Sequence, residues 1–183
     1  MITLYEVNAD KKALEKSIKI MNDTWELFFN KETQLFQKNI IKDNDLFASP
    51  LDLNDSNIPN GNSVYLLISN KLYSITNDKI WSERNEVLKK SFHQVLNSYY
   101  SQMFSFIKTL DICDNSLSFT FHGTSQSIRE MKLYLQKEYL GVATFVYQLN
   151  NDTKPSVIIC KNQTCSNKLT NISEAVEYLS KSD

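Results

Sequence analysis

Three groups of residues in this sequence have types and spacing suited to chemistry. The first is Asp55 followed by Pro59, Asn60, Gly61, Asn62 and Ser63. Pro59 disfavours helix at Ile58 and fixes its own φ near the helical value. Gly61 permits a backbone angle that other residues resist, and Asn62 and Ser63 are good N-cap residues. A helix beginning here presents free N–H groups and a positive dipole end, which can hold an anion or a polarised oxygen. A plain turn and cap uses the same residues. Asp55 is the carboxylate placed just ahead of this turn. The second group is Cys160 and Cys165, with four residues between them. That spacing is longer than in thioredoxin-type redox sites. A zinc site would have only Cys113 and His122 to complete it, so no metal is expected. A disulfide or redox pair stays open, but packing around a tight turn is the favoured reading. The third group is His93 and His122, each able to act as a base near neutral pH. The sequence identifies a partner for neither. No Ser-His-Asp order, phosphate loop or dinucleotide glycine pattern is present.

Hydrophobic periodicity predicts the elements that position these residues. Met1 to Val7 reads as the end of a helix whose first turns are missing. Leu14, Ile18, Met21, Trp25 and Phe28/Phe29 form one helical stripe, predicted to be buried. Short extended pieces are expected at Leu35-Phe36 and Ile40-Ile41, then a polar connection over residues 42–59 of a length that is often functional or disordered. A helix with Val64, Leu67, Ile68, Leu72 and Ile75 inside follows. The next ends near Tyr99, and a further one over Ser101 to Ile112 is predicted to bury Phe104, Ile107 and Leu110. Leu117, Phe119 and Phe121 then alternate with Ser118, Thr120 and His122, which is strand periodicity. Ser127 to Glu130 fits a capping box for a helix that begins there or a residue or two earlier and that Gly141 ends as a C′ glycine. Strands over Val142 to Tyr147 and Val157 to Cys160 precede a last helix capped at Thr170-Asn171. The expected fold is mainly α over residues 1–113, with a small α/β part over residues 114–183 ordered strand–helix–strand–strand–helix.

The bulk properties narrow the function classes. At 183 residues, with 42% hydrophobic and 22% charged residues, the chain suits a core-burying domain, or one domain with a small appendage. A net charge of −1 gives no electrostatic case for nucleic acid or an anionic membrane. No apolar run approaches the roughly 20 residues that span a bilayer. The start lacks the basic region of a signal peptide, and three cysteines do not suggest a secreted disulfide scaffold. The reading is a cytoplasmic protein.

Two segments carry a family resemblance. Asp55 followed by Pro59-Asn-Gly-Asn62-Ser63-Val64 resembles the Asp-Gly-Ala-x-Pro-Ser-Gly-Asn-Ser-Val segment of the YyaL-type proteins. These are bacterial relatives of the spermatogenesis-associated thioredoxin-domain protein of animals. Ser56, Asn57 and Asn60 stand where the family has Gly, Ala and Ser. Cys160-Lys-Asn-Gln-Thr-Cys165 resembles the family's C-terminal Cys-Glu-Asn-Phe-Thr-Cys. The resemblance covers essentially all of this chain, which corresponds to roughly the last quarter of a full-length member.

That resemblance implies an N-terminal thioredoxin-like domain followed by an (α/α)6 toroid, similar to those of N-acylglucosamine 2-epimerases and six-hairpin glycosidases. Residues 1–113 would be the last part of the toroid. By fold analogy the cleft at its open end would bind or act on carbohydrate in an epimerase- or isomerase-like way. Asp55 would be an acid or base there, with Gly61, Asn62 and Ser63 positioning a substrate oxygen. No cofactor is implied. The implied partners are the thioredoxin-like and toroid segments, in cis or as a separate chain, and a carbohydrate ligand. The rival is a non-catalytic interaction domain that docks a thioredoxin-like partner. The surroundings of Asp55 discriminate: an open polar cleft favours an enzyme, and local pairing as a turn cap favours the rival. An incomplete ring is also expected to expose apolar residues on its first helices and to self-associate.

Overall fold

Helix α1 (Ile2–Asn8) stops where Ala9 turns left-handed at φ 59° and donates its amide to the Tyr5 carbonyl. Asp10 then caps α2 (Lys11–Phe28), its Oδ1 accepting from the amides of Lys12 and Ala13. The same device joins α3 (Gly61–Thr76) to α4 (Lys79–Tyr99). Asn77 is left-handed at φ 55°, and Asp78 accepts from the Ile80 amide. A left-handed residue satisfies the end of one helix and a carboxylate satisfies the start of the next, so each pair closes as a hairpin. These features belong to a computed structural model that describes residues 1–40, 50–161 and 164–181. Residues 42–49 of the polar connection predicted over residues 42–59, and Ile41, lie outside the described residues.

The chain divides into two compact units, Met1–Cys113 and Asp114–Asp183. It is mainly helical with a small α/β part. In the first unit, β1 (Phe29–Asn30) pairs antiparallel with β2 (Leu35–Phe36). An isolated antiparallel bridge joins Gln37 to Leu51, and the Asp52 amide donates to the Phe36 carbonyl. The predicted extended piece at Leu35-Phe36 is therefore present, whereas Ile40 is in neither strand nor helix. Met21, Leu35, Phe36, Tyr65, Leu66, Leu72, Trp81, Leu88, Phe92, Met103 and Phe106 form the core.

The predicted stripe of α2 lies on the core, whereas α3 and α5 depart from their predicted faces. On α2 the buried residues are Ala13, Ser17 and Met21, while Leu14, Ile18, Trp25 and Phe28 flank the core half-covered. On α3 the buried set is Asn62, Ser63, Tyr65, Leu66, Ser69 and Leu72, and Val64 is exposed. Helix α5 (Phe104–Asn115) buries Phe106 and Thr109, leaving Phe104 at 66% and Ile107 at 42% exposure. The 3-10 turn Tyr100–Gln102 ahead of α5 resets its phase, so the predicted face of Phe104 and Ile107 is corrected.

In the second unit the alternation at Leu117, Phe119 and Phe121 is realised in β3 (Leu117–Gly123). Helix α6 (Ser125–Glu138) leads to β4 (Ala143–Leu149), which lies parallel to β3. β5 (Ser156–Lys161) pairs antiparallel on the other side of β3, and β6 (Thr164–Cys165) pairs with β5, giving the order β4-β3-β5-β6. Helix α7 (Ile172–Ser180) is capped by Asn171. Helix α6 is capped by Thr124 and ends at Glu138, so Leu140 is 94% exposed and Gly141 is not the expected left-handed cap. Among the described residues no helix is long and apolar enough to cross a membrane.

Candidate functional site

Helix α5 begins after Met103, whose side chain cannot cap it. Asp55 supplies the missing acceptor from another segment. Its Oδ2 accepts from the Ser105 amide at 2.7 Å, and its Oδ1 accepts a short bond from the Ser105 hydroxyl. Oδ1 also accepts from the Asn60 amide at 3.0 Å and from Asn60 Nδ2 at 2.9 Å. The Asp55 amide in turn donates to the Gln102 carbonyl at 2.8 Å, which ties the segment to the turn before α5.

Asn60 passes the network on to α3. It is the N-cap of that helix, with an extended backbone at φ −65° and ψ 153°. Its Oδ1 accepts from the Ser63 amide and from the Ser63 hydroxyl, both at 2.9 Å. Ser105 Oγ lies 2.8 Å from Ser63 Oγ and joins the two helix starts. The expected caps Asn62 and Ser63 are therefore corrected to Asn60. Pro59 precedes it, and Asn60 is the first residue after the ring able to hold the extended cap geometry, so α3 starts earlier than expected.

Asn62 does something different. Its Oδ1 accepts from the Phe36 amide at 2.9 Å, and its Nδ2 donates to the Asp52 carbonyl at 2.7 Å. It is fully buried and fastens α3 to β2 and to the segment carrying Asp52. Gly61 lies within the helix, without positive φ. Its use is room, since its amide donates to Asp52 Oδ2 at 2.5 Å and a Cβ would sit 2.6 Å from that oxygen. The expected special backbone angle at Gly61 is thus corrected to close approach.

The electrostatics follow from these partners. Burial alone would raise Asp55, but the bonds from the Ser105 hydroxyl and amide and from Asn60 outweigh it and hold the carboxyl below its ordinary value. The group is an ionised acceptor at neutral pH and has no proton to give as a general acid. Asn60, Asn62 and Ser63 are each 3% exposed or less. The arrangement brings together Asp55, Asn60, Ser63 and Ser105 and directs them at one another. Asp52 and Ser105 are the members that the sequence does not single out, and Asn60, although inside the motif, is not the expected cap. Asn60 was detectable as an Asx residue directly after Pro59.

The two cysteines face each other across the β5–β6 pair and form a disulfide, with Cα atoms 4.0 Å apart. This corrects the preferred reading of plain packing. The antiparallel register places the two residues opposite one another, where side chains meet directly. Cys113, in the other unit, takes no part in a disulfide. Among the described residues no group of three or more His, Cys, Asp and Glu side chains converges as a metal site would. His122 has a buried Nε2 without a hydrogen-bond partner. Burial first, and then the charge of Lys168, lower its pKa against the opposing pull of Asp152. His93 is exposed on α4 beside a shallow depression shared with Gln34 and Lys90. No family model and no curated protein matches the sequence.

Proposed function

We propose that this chain is a non-catalytic interaction domain corresponding to the C-terminal part of a YyaL-type protein. In this reading its helical hairpins belong to an (α/α)6-type toroid that docks a thioredoxin-like domain. One observation carries the non-catalytic reading: both oxygens of Asp55 are engaged by Asn60 and Ser105, as a cap shared by two helix starts. A carboxylate so used is committed to the two helix starts and is held ionised. The succession of α1–α2 and α3–α4 hairpins supports the toroid reading. The motif also tolerates its departure from the family at Asn60, because Asn and Ser are comparable N-caps. Exposed Leu4 and Val7 on α1, with Ile20 and Leu27 on α2, offer apolar surface for neighbouring helices.

The test combines this chain with a separately produced thioredoxin-like and toroid segment of a YyaL-type protein. Light scattering should show a defined complex. N-acetylglucosamine and N-acetylmannosamine should show no Asp55-dependent conversion. A sugar conversion that Asp55→Asn abolishes, while the melting temperature stays unchanged, would overturn the non-catalytic reading. Absence of any complex would overturn the docking role.

A further inference from the structure

We infer that Arg84 is the recognition point of a carboxylate-binding site formed between α2, α3 and α4. Its guanidinium carbon lies 4.8 Å from the ring centre of Trp25 and 5.2 Å from that of Trp81. Nη1 donates to Asn22 Oδ1 at 2.8 Å and to the Tyr65 hydroxyl at 3.0 Å. Trp81 and Tyr65 are buried, and Trp25, stacked on Phe29 with ring centres 3.8 Å apart, is half-buried. The guanidinium is thus held by two indole faces and two neutral acceptors.

What is missing is a counter-charge. Among the described residues no carboxylate lies within ion-pair distance of Arg84. Nε and Nη2 have no hydrogen-bond partner there and are not sealed from solvent. Here only one nitrogen of a five-donor planar fork is used. The aromatic contacts fix the plane of the fork, so the unused donors are pre-aligned. The ligand that matches a planar pair of N–H donors is a carboxylate, which accepts two parallel bonds. Among the described residues Arg84 is the one cation recorded against these rings, which suits a singly charged carboxylate better than a phosphate. The site shares no residue with the Asp55 network, so either reading can fail without the other.

Trp25 and Trp81 are the 2 tryptophans of the chain, so tryptophan emission, excited selectively over tyrosine, reports on this cluster alone. The experiment titrates the whole chain with sodium glucuronate and, separately, with N-acetylglutamate α-amide as a mimic of a partner side chain. Ionic strength is held constant, with sodium chloride and methyl glucoside as controls. A saturable change in tryptophan emission is expected with carboxylate and not with the controls. Arg84→Lys, which keeps the charge and loses the fork, should weaken it by about tenfold, and Arg84→Gln should abolish it. Stronger saturation by glucuronate assigns a small sugar acid, whereas equal or stronger saturation by the glutamate mimic assigns the carboxylate of a partner polypeptide. No saturable change with either compound overturns the inference, as does an equal response to methyl glucoside. An undiminished response in folded Arg84→Gln overturns it too. If that variant does not fold, the wild-type titration with its controls still decides.

Discussion

The carboxylate of Asp55 receives both the amide and the hydroxyl of Ser105, a residue 50 positions further along the chain. Asp55→Ala would leave the Ser105 and Asn60 amides without their acceptor. Hydrogen bonds to a charged group contribute about 1.5–3 kcal/mol each, so a net loss of about 2–3 kcal/mol is expected. Urea denaturation of the variant against wild type measures it.

The same carboxylate sets a pH dependence. Its folded-state pKa lies below the ordinary 3.8. The stabilisation it provides is therefore fully present above the unfolded-state value and is lost as pH falls through the folded-state value. The stability gap between wild type and Asp55→Asn should be constant near neutral pH and shrink below about pH 4. Denaturation midpoints measured from pH 2 to 7 check this. A gap independent of pH would contradict the assignment.

Asn62→Ala tests the second fastening. It orphans the Phe36 amide and the Asp52 carbonyl at a fully buried position. Each unsatisfied buried group costs about 1–3 kcal/mol, so this variant should lose at least about 2 kcal/mol. Asn60→Ala, a lost N-cap, should cost about 0.5–2 kcal/mol. Thermal melts of the two variants rank them, and the reverse order would contradict the roles of the two asparagines.

The face of α5 is tested by two phenylalanines. Phe106 is 1% exposed and stacks on Phe92, whereas Phe104 is 66% exposed. Phe106→Ala should cost about 3–5 kcal/mol. Phe104→Ala should change stability by no more than about 0.5 kcal/mol. Equal losses in chemical denaturation would show that the helix presents a different face to the core.

The disulfide between Cys160 and Cys165 closes a loop with a sequence separation of 5. A loop that short restricts the unfolded chain little, so reduction should cost the second unit no more than about 2 kcal/mol. Alkylation mass spectrometry confirms reduction, and a melt followed in the same sample reads the cost.

Alternation at Leu117, Phe119 and Phe121 is enough to place β3, because a period of two is decided by neighbours in the chain. The existence of α2, α3, α4 and α7 is legible for the same reason. The start of α3 is harder, since Asn60, Asn62 and Ser63 are all competent caps and local sequence favours Asn62 and Ser63 over the actual cap, Asn60. What settles the rank is contact with Phe36, Asp52 and Ser105, none of which is local to that turn. The face of α5 escapes the sequence because the 3-10 turn at Tyr100–Gln102 is nearly invisible in hydrophobic periodicity. The i, i+3 spacing of Trp81 and Arg84 is readable as one helix face, but Trp25 and Asn22 reach it only through the packing of α2.

The central claim is that Asp55 works as a structural cap through Ser105. A double-mutant cycle on Asp55→Ala and Ser105→Ala, read by urea denaturation, tests it most directly. The account predicts a coupling energy of about 1–3 kcal/mol, because the two side chains and the helix start they share form one network. Additive single effects, with Asp55→Ala leaving stability unchanged, would contradict it.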